Sequence, residues 1–90
     1  AVANGATVTP SVYVYEDGSY NGNRARLIVK KNVAMGISAD TVLDTATASS
    51  DLAWEQLTGT TAAVTDDGTL EFVVDCDGTA GNLFVDSFSA

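Results

Sequence analysis

The chain has 90 residues, of which 46% are hydrophobic, with twelve acidic and four basic side chains, no histidine and a formal net charge of −8. This length fits one domain, 1–90, burying only roughly 60–65% of the surface its unfolded form exposes, so an unaided core is marginal. With Cys76 the single cysteine and no histidine, the sequence excludes an intrachain disulfide, imidazole-bound zinc or copper, and any Ser–His or Cys–His catalytic pair, while the acidic balance opposes nucleic acid and anionic membrane surfaces as partners.

From Ala6 to Glu16 the chain alternates. Val8, Pro10, Val12 and Val14 share one face, and Thr7, Thr9, Ser11, Tyr13 and Tyr15 share the other, which predicts a strand with one face turned to a core. Pro10 lacks an amide donor and belongs at an edge, a bulge or a strand start. The Asp/Gly/Asn-rich stretch 17–23 reads as a hairpin connection. A second strand follows over Arg24–Lys31, with Ala25, Leu27 and Val29 on the apolar side and Arg24, Arg26, Ile28 and Lys30 on the polar side. Arg24, Arg26, Lys30 and Lys31 are all the cations the chain has, an asymmetry able to orient one copy against another.

Residues 32–50 fit neither a long helix nor one clean strand, and a short strand is predicted near Thr41–Leu43. Around Ser50–Trp54 either a helical turn capped by Ser50 or Asp51 or a loop is compatible with the residues. A strand then runs from Trp54 to about Thr60, with Thr61–Val64 extending it past Gly59 through a bulge. Asp66-Asp67-Gly68 is a turn. Strands over Leu70–Asp75 and Leu83–Phe88 close the chain as a two-strand ending joined by a turn near Gly78 and Gly81. Both carry apolar residues on both faces, a pattern expected of central or covered strands. The fold class is all-β, an antiparallel β-sandwich. No apolar run approaches the ~20 residues of a membrane-spanning helix.

Taken together, Val8–Val14, Trp54–Thr60, Leu70–Asp75 and Leu83–Phe88 resemble the later strands of carbohydrate-binding-module-like jelly rolls, in wording most like those of tailed-phage and other virion structural proteins. Domains of that family are longer and open with a segment that pairs with the final strands. The resemblance therefore implies a partial jelly roll, a piece of a longer chain or a module completed by further protein. It also implies a virion or extracellular surface location and a homo-oligomer or larger assembly. The family's final strand tends to carry paired acidic residues that help hold a structural calcium; here Asp86 is followed by Ser87. No cofactor is expected, and oxygen-ligated calcium is the one metal that the residue types leave open.

Tyr13 and Tyr15 share a strand face, and Arg24 and Arg26 are expected on the matching face of the neighbouring strand. Rings stacked on sugar C–H faces with charged groups on the hydroxyls make a glycan site; tyrosines packed against a second sheet or a neighbouring subunit are the plainer alternative. Tyr20, in the Gly/Asn loop, is a contact residue or a loop anchor. Trp54 reads as a core or rim residue, given its apolar area, with a sugar platform as the alternative. Asp75, Asp77 and Asn82 make an oxygen-rich loop whose spacing departs from the EF-hand and reads as a solvated turn, and Cys76 as an inert thiol. Glu71 and Asp75 are a formal carboxylate pair for glycoside hydrolysis, but twelve acids scattered over turns make such pairs by coincidence. No enzyme activity is expected. The functional expectation is a non-catalytic structural module of a virion or surface assembly, such as a capsid decoration, fibre or tail-associated domain. The alternatives are a carbohydrate-binding module and a self-assembling extracellular filament protein.

Overall fold

The computed structural model describes residues 1–16, 24–47, 54–76 and 81–89. Six strands form in chain order: β1 (Ser11–Glu16), β2 (Arg26–Val29), β3 (Thr41–Thr45), β4 (Trp54–Thr58), β5 (Phe72–Asp75) and β6 (Leu83–Ser89). The described residues contain no α-helix, only a 3-10 turn at Val33–Met35 closed by Gly36 in the left-handed region. The strands make two antiparallel three-stranded sheets, ordered β4-β1-β6 and β3-β2-β5.

The alternation of β1 decides the first sheet. Val12 and Val14 are fully buried while Tyr13 and Tyr15 point away from the core. Pro10 is buried just outside the ladder, as a residue with no amide donor requires, and its carbonyl accepts from the Thr58 hydroxyl at 2.9 Å. The regular strand starts at Ser11 rather than at Ala6. Residues 2–9 instead follow 60–68 through separate backbone bonds, among them Thr61 N–H to Val8 C=O at 2.9 Å and Gly5 N–H to Val64 C=O at 2.8 Å. A turn between Ala3 and Ala6, with Gly5 at φ 88°, breaks the extended path. The expected extension of β4 beyond Gly59 takes this irregular form, and β4 ends at Thr58.

Face-to-face packing of the two sheets makes the core. Val12, Val14 and Leu57 of the first sheet meet Leu27 of the second and its flanking Ala25 and Ala46, with Phe72, Val74 and Leu83 packed at the margin. A second cluster, Val29, Met35, Ile37, Val64 and Leu70, extends the interior towards the 60–68 segment, and the molecule is elongated at 42 × 20 × 17 Å. Glu16, the last residue of β1, follows Val12 and Val14 onto the inner face and is buried, where it pairs with Arg24 and accepts the Ala25 N–H at 3.3 Å. A buried carboxylate persists only when its charge is met in this way.

Three expectations are corrected. β1 and β2 are not the paired strands of a hairpin, because they lie in different sheets; the stretch 17–23 itself lies outside the described residues. Nor do β5 and β6 pair: each joins a different sheet, and among the described residues each lies at a sheet edge rather than at the centre. Turn chemistry and apolar content indicate that strands are present, but pairing goes to whichever strand presents a matching inner row, and β1 and β2 each present two usable edges. The outer face of β2 is also less polar than predicted. Ile28 is 9% exposed between Val42 and Val73, beside a bulge where Leu27 and Ile28 face Asp44 and Val42. The Ser50–Trp54 region up to residue 53 lies outside the described residues.

The β3 and β4 side of the sandwich is laced shut. The Asp44 carboxylate accepts the Thr58 N–H at 3.0 Å, and Glu55 accepts the Thr47 N–H at 3.0 and 3.2 Å and its hydroxyl at 3.1 Å. Gly59 makes the closest approach, since a Cβ there would stand 2.6 Å from the Leu43 carbonyl oxygen. Replacing Gly59 with alanine is expected to lower stability by about 1–3 kcal/mol through overpacking against backbone, read as a fall in the urea midpoint. Glu16→Gln is expected to cost a similar ~1–3 kcal/mol by removing one charge of a largely buried pair; an unchanged midpoint excludes that role.

Candidate functional site

The outer face of the first sheet follows from register. Tyr15 stands opposite Trp54 on β4 and Phe84 on β6, and Tyr13 stands opposite Gln56 and Asp86. Because residues directly opposite share a face, the three strands carry an aromatic row, Trp54–Tyr15–Phe84, above a polar row, Gln56–Tyr13–Asp86. The Tyr15 ring lies 5.5 Å from Trp54 and 6.0 Å from Phe84, tilted by 53° and 60°, within the range of favourable aromatic contacts. Trp54 and Phe84 are each 50% exposed. Trp54 is thus an outer-face residue and not part of the core.

Of the site residues read from the sequence, the structure unites Tyr13 and Tyr15 and separates both from the arginines. Arg24 precedes β2 and Arg26 opens it, in the opposite sheet. Arg24 pairs with Glu16, and Arg26 pairs with Asp75 directly across the β2–β5 ladder. The expected Tyr–Arg face does not form, since the strand that follows a tyrosine strand in sequence is not its neighbour in space. Tyr20 lies outside the described residues. Phe84, Gln56 and Asp86 are not legible as members of the face, and Trp54, readable as a sugar platform, is not legible as the neighbour of Tyr15, although the alternation Trp54, Gln56, Thr58 against Glu55, Leu57 carries half of that signal.

Strand β6 is the second feature. Among the described residues it pairs only with β1, and no hydrogen bond joins it to β5. Phe84, Val85 and Phe88 are 50%, 47% and 44% exposed, so three large apolar side chains crowd one edge strand. Between the pairs Tyr13–Asp86 and Ser11–Ser89, Ser87 and Phe88 stand where β1 has only Val12. Ser87 takes up this bulge at φ 55° and donates its N–H to Asp86 Oδ1 at 2.8 Å. Because β6 ends beside Ser11, residues 2–9 are also paired along one side only, among the described residues. A groove of about 450 Å³ lies there, walled by Val2, Ala6 and Val8 on one flank and Leu70 and Phe72 on the other.

The charges of the second sheet are internally matched. Lys30 Nζ donates to Asp40 Oδ2 at 2.8 Å, and the Lys31 N–H to Asp40 Oδ1 at 2.7 Å. The bond from Lys30 holds the Asp40 carboxyl below the usual carboxylate range, aided by the Lys31 N–H, and the same bond raises the Lys30 ammonium. Three of the four cations therefore sit in ion pairs within the chain, which removes much of the charge asymmetry available to orient neighbouring copies. Asp75, the described carboxylate of the oxygen-rich loop, is engaged by Arg26; Asp77 lies outside the described residues. Among the described residues no three metal-ligating side chains converge, and Cys76 is exposed as a free thiol.

Set against known proteins, the chain matches no family model, no curated protein and no solved structure.

A carboxylate whose folded pKa is lowered stabilises above its unfolded value and loses that contribution as pH falls through the folded one. Asp40→Asn is expected to lower the urea midpoint slightly at pH 7. The gap between wild type and variant should close as the pH drops below about 4. A gap that persists at pH 2 rules out the Lys30 pairing as its source.

Proposed function

We propose that this chain is a non-catalytic structural module of a virion or similar surface assembly, whose sandwich is completed by further protein. The observation that carries this reading is the β6 edge, which has no strand partner among the described residues, with Phe84, Val85 and Phe88 exposed on that strand. A free strand edge offers a row of backbone donors and acceptors to another chain, and soluble domains ordinarily blunt such edges with lysine, proline or a cover. The described β6 carries one charge, Asp86, and no lysine or proline. The one-sided pairing of residues 2–9 beside an apolar groove supports the same reading, as does the small size of the core. Two experiments test it together. Light scattering after size exclusion should give a species heavier than 9.3 kDa, and the isolated monomer, where it can be prepared, should show fast amide exchange along β6. A compact monomer at ~100 µM whose β6 amides exchange as slowly as those of Val12 and Leu27 overturns the reading.

A second reading, a carbohydrate-binding module, is favoured by one specific observation, the row Trp54–Tyr15–Phe84 above Gln56, Tyr13 and Asp86. Exposed rings suit sugar C–H faces, and the polar row offers an amide, a phenol and a carboxylate to hydroxyls. A glycan panel at millimolar sugar should then show a ligand whose binding falls at least ~10-fold in Trp54→Ala. Absence of any ligand across the panel removes this reading.

A further inference from the structure

From Leu83 to Asp86 strand β6 is regular, and its far edge has no partner among the described residues. Beyond Asp86 the bulge and the left-handed Ser87 turn the strand away, so the regular stretch able to accept another strand is residues 83–86. Resting on the assembly reading above, we propose that this edge pairs antiparallel with the β6 edge of a second copy of the chain, in the register that sets Phe84 opposite its own equivalent. Two three-stranded sheets thereby become one of six strands, in the order β4-β1-β6-β6-β1-β4.

The second copy is the occupant because the edge is self-complementary in this register and less so in those centred on Val85 and Asp86. Two identical antiparallel strands are related by a two-fold axis, so one edge satisfies both copies. An axis at Asp86 sets two carboxylates directly opposite, which is destabilising. An axis at Val85 sets Phe84 against Asp86 twice. An axis at Phe84 sets ring against ring, Leu83 against Val85 on the other face, and Asp86 against Asn82, a carboxylate against an amide. Each of these pairs is favourable or neutral, and the aromatic row lengthens from three rings to six. Charge argues the same way against a basic partner: Asp86 is the one charged residue of β6, and no cluster of acids lines the edge. The strand pair alone is short, which places the contact among small, transient interfaces below about 1,200 Å².

Since each copy carries −8, the two repel at long range, and added salt strengthens the dimer; a basic partner would be weakened by it. Sedimentation equilibrium of the unmodified chain should show a reversible dimer whose dissociation constant falls several-fold between about 50 and 500 mM NaCl. Register is read by disulfide trapping in a Cys76→Ser background, because opposed Cα atoms about 4.5–5.5 Å apart fall within disulfide reach. Phe84→Cys should oxidise to a covalent dimer about tenfold faster than Val85→Cys or Asp86→Cys. Leu83→Cys mixed with Val85→Cys should give a heterodimer that neither forms alone, which tests the register even where Phe84→Cys fails to fold. Faster trapping at Val85 or Asp86, or a larger assembly in which none of these positions trap, overturns the pairing and leaves the assembly reading standing. A monomer at every salt concentration also overturns the pairing. Fast β6 exchange in that monomer leaves completion by a different protein intact, whereas slow exchange overturns both.

Discussion

A sheet of three strands has one interior strand and two edges, and this arithmetic shapes the whole molecule. β1 and β2 are the interior strands, and they carry most of the fully buried side chains, Val12, Val14, Leu27 and Val29. Every other strand gains one ladder and leaves one row of backbone groups facing outward. On the β3 and β4 side, that liability is met with side chains: Asp44 and Glu55 reach across to backbone N–H groups, and Gly59 lets the backbones approach. On the β5 and β6 side nothing comparable is present among the described residues. The asymmetry between a laced and an open flank is the main physical fact of the fold, and the functional readings grow from it.

How much of this was legible in the sequence depends on the range of the physics involved. Strand positions are set by alternation and turn residues within a few positions of each other, so β2, β3, β4, β5 and β6 fall where Leu27, Thr41, Trp54, Phe72 and Leu83 predict them, and the inner faces of β1 and β4 are those of Val12, Val14 and Leu57. Pairing is set between residues as far apart as Tyr15 and Phe84, and local pattern carries no information on it. Hairpins were therefore expected at 17–23 and between β5 and β6 where the chain crosses sheets. The same gap hid the outer face. Tyr13 and Tyr15 were visible as a pair, but their true neighbours, Trp54, Phe84, Gln56 and Asp86, depend on two registers, and the arginines assigned to them belong to the other sheet. Apolar residues on both faces of β6 suggested a covered strand. Within the described residues the strand is an edge, and its apolar Phe84, Val85 and Phe88 stay exposed.

The electrostatics modify a simple view of an acidic chain. Arg24, Arg26 and Lys30 are each tied to a carboxylate of their own fold, one of them the buried Glu16 at the end of β1. The cations thus serve the joint between the sheets and the margin of the second sheet more than they serve an external ligand. What remains outward on the first sheet is largely aromatic and uncharged. A surface of that kind binds through ring faces and backbone edges, so its contacts survive salt better than those of a charged patch.

The chain changes sheet at four of its five connections; only β2 to β3 links neighbours within one sheet. Almost every stabilising contact must therefore close a long loop before it is rewarded, and topologies of this kind fold in milliseconds to seconds rather than microseconds. During that interval both interior strands present two open edges instead of none. β6, the sixth of the described strands, is also the strand whose arrival seals one edge of β1. A folding copy thus spends that time with the edges of its interior strands open, the form in which an edge is most receptive to a strand from outside.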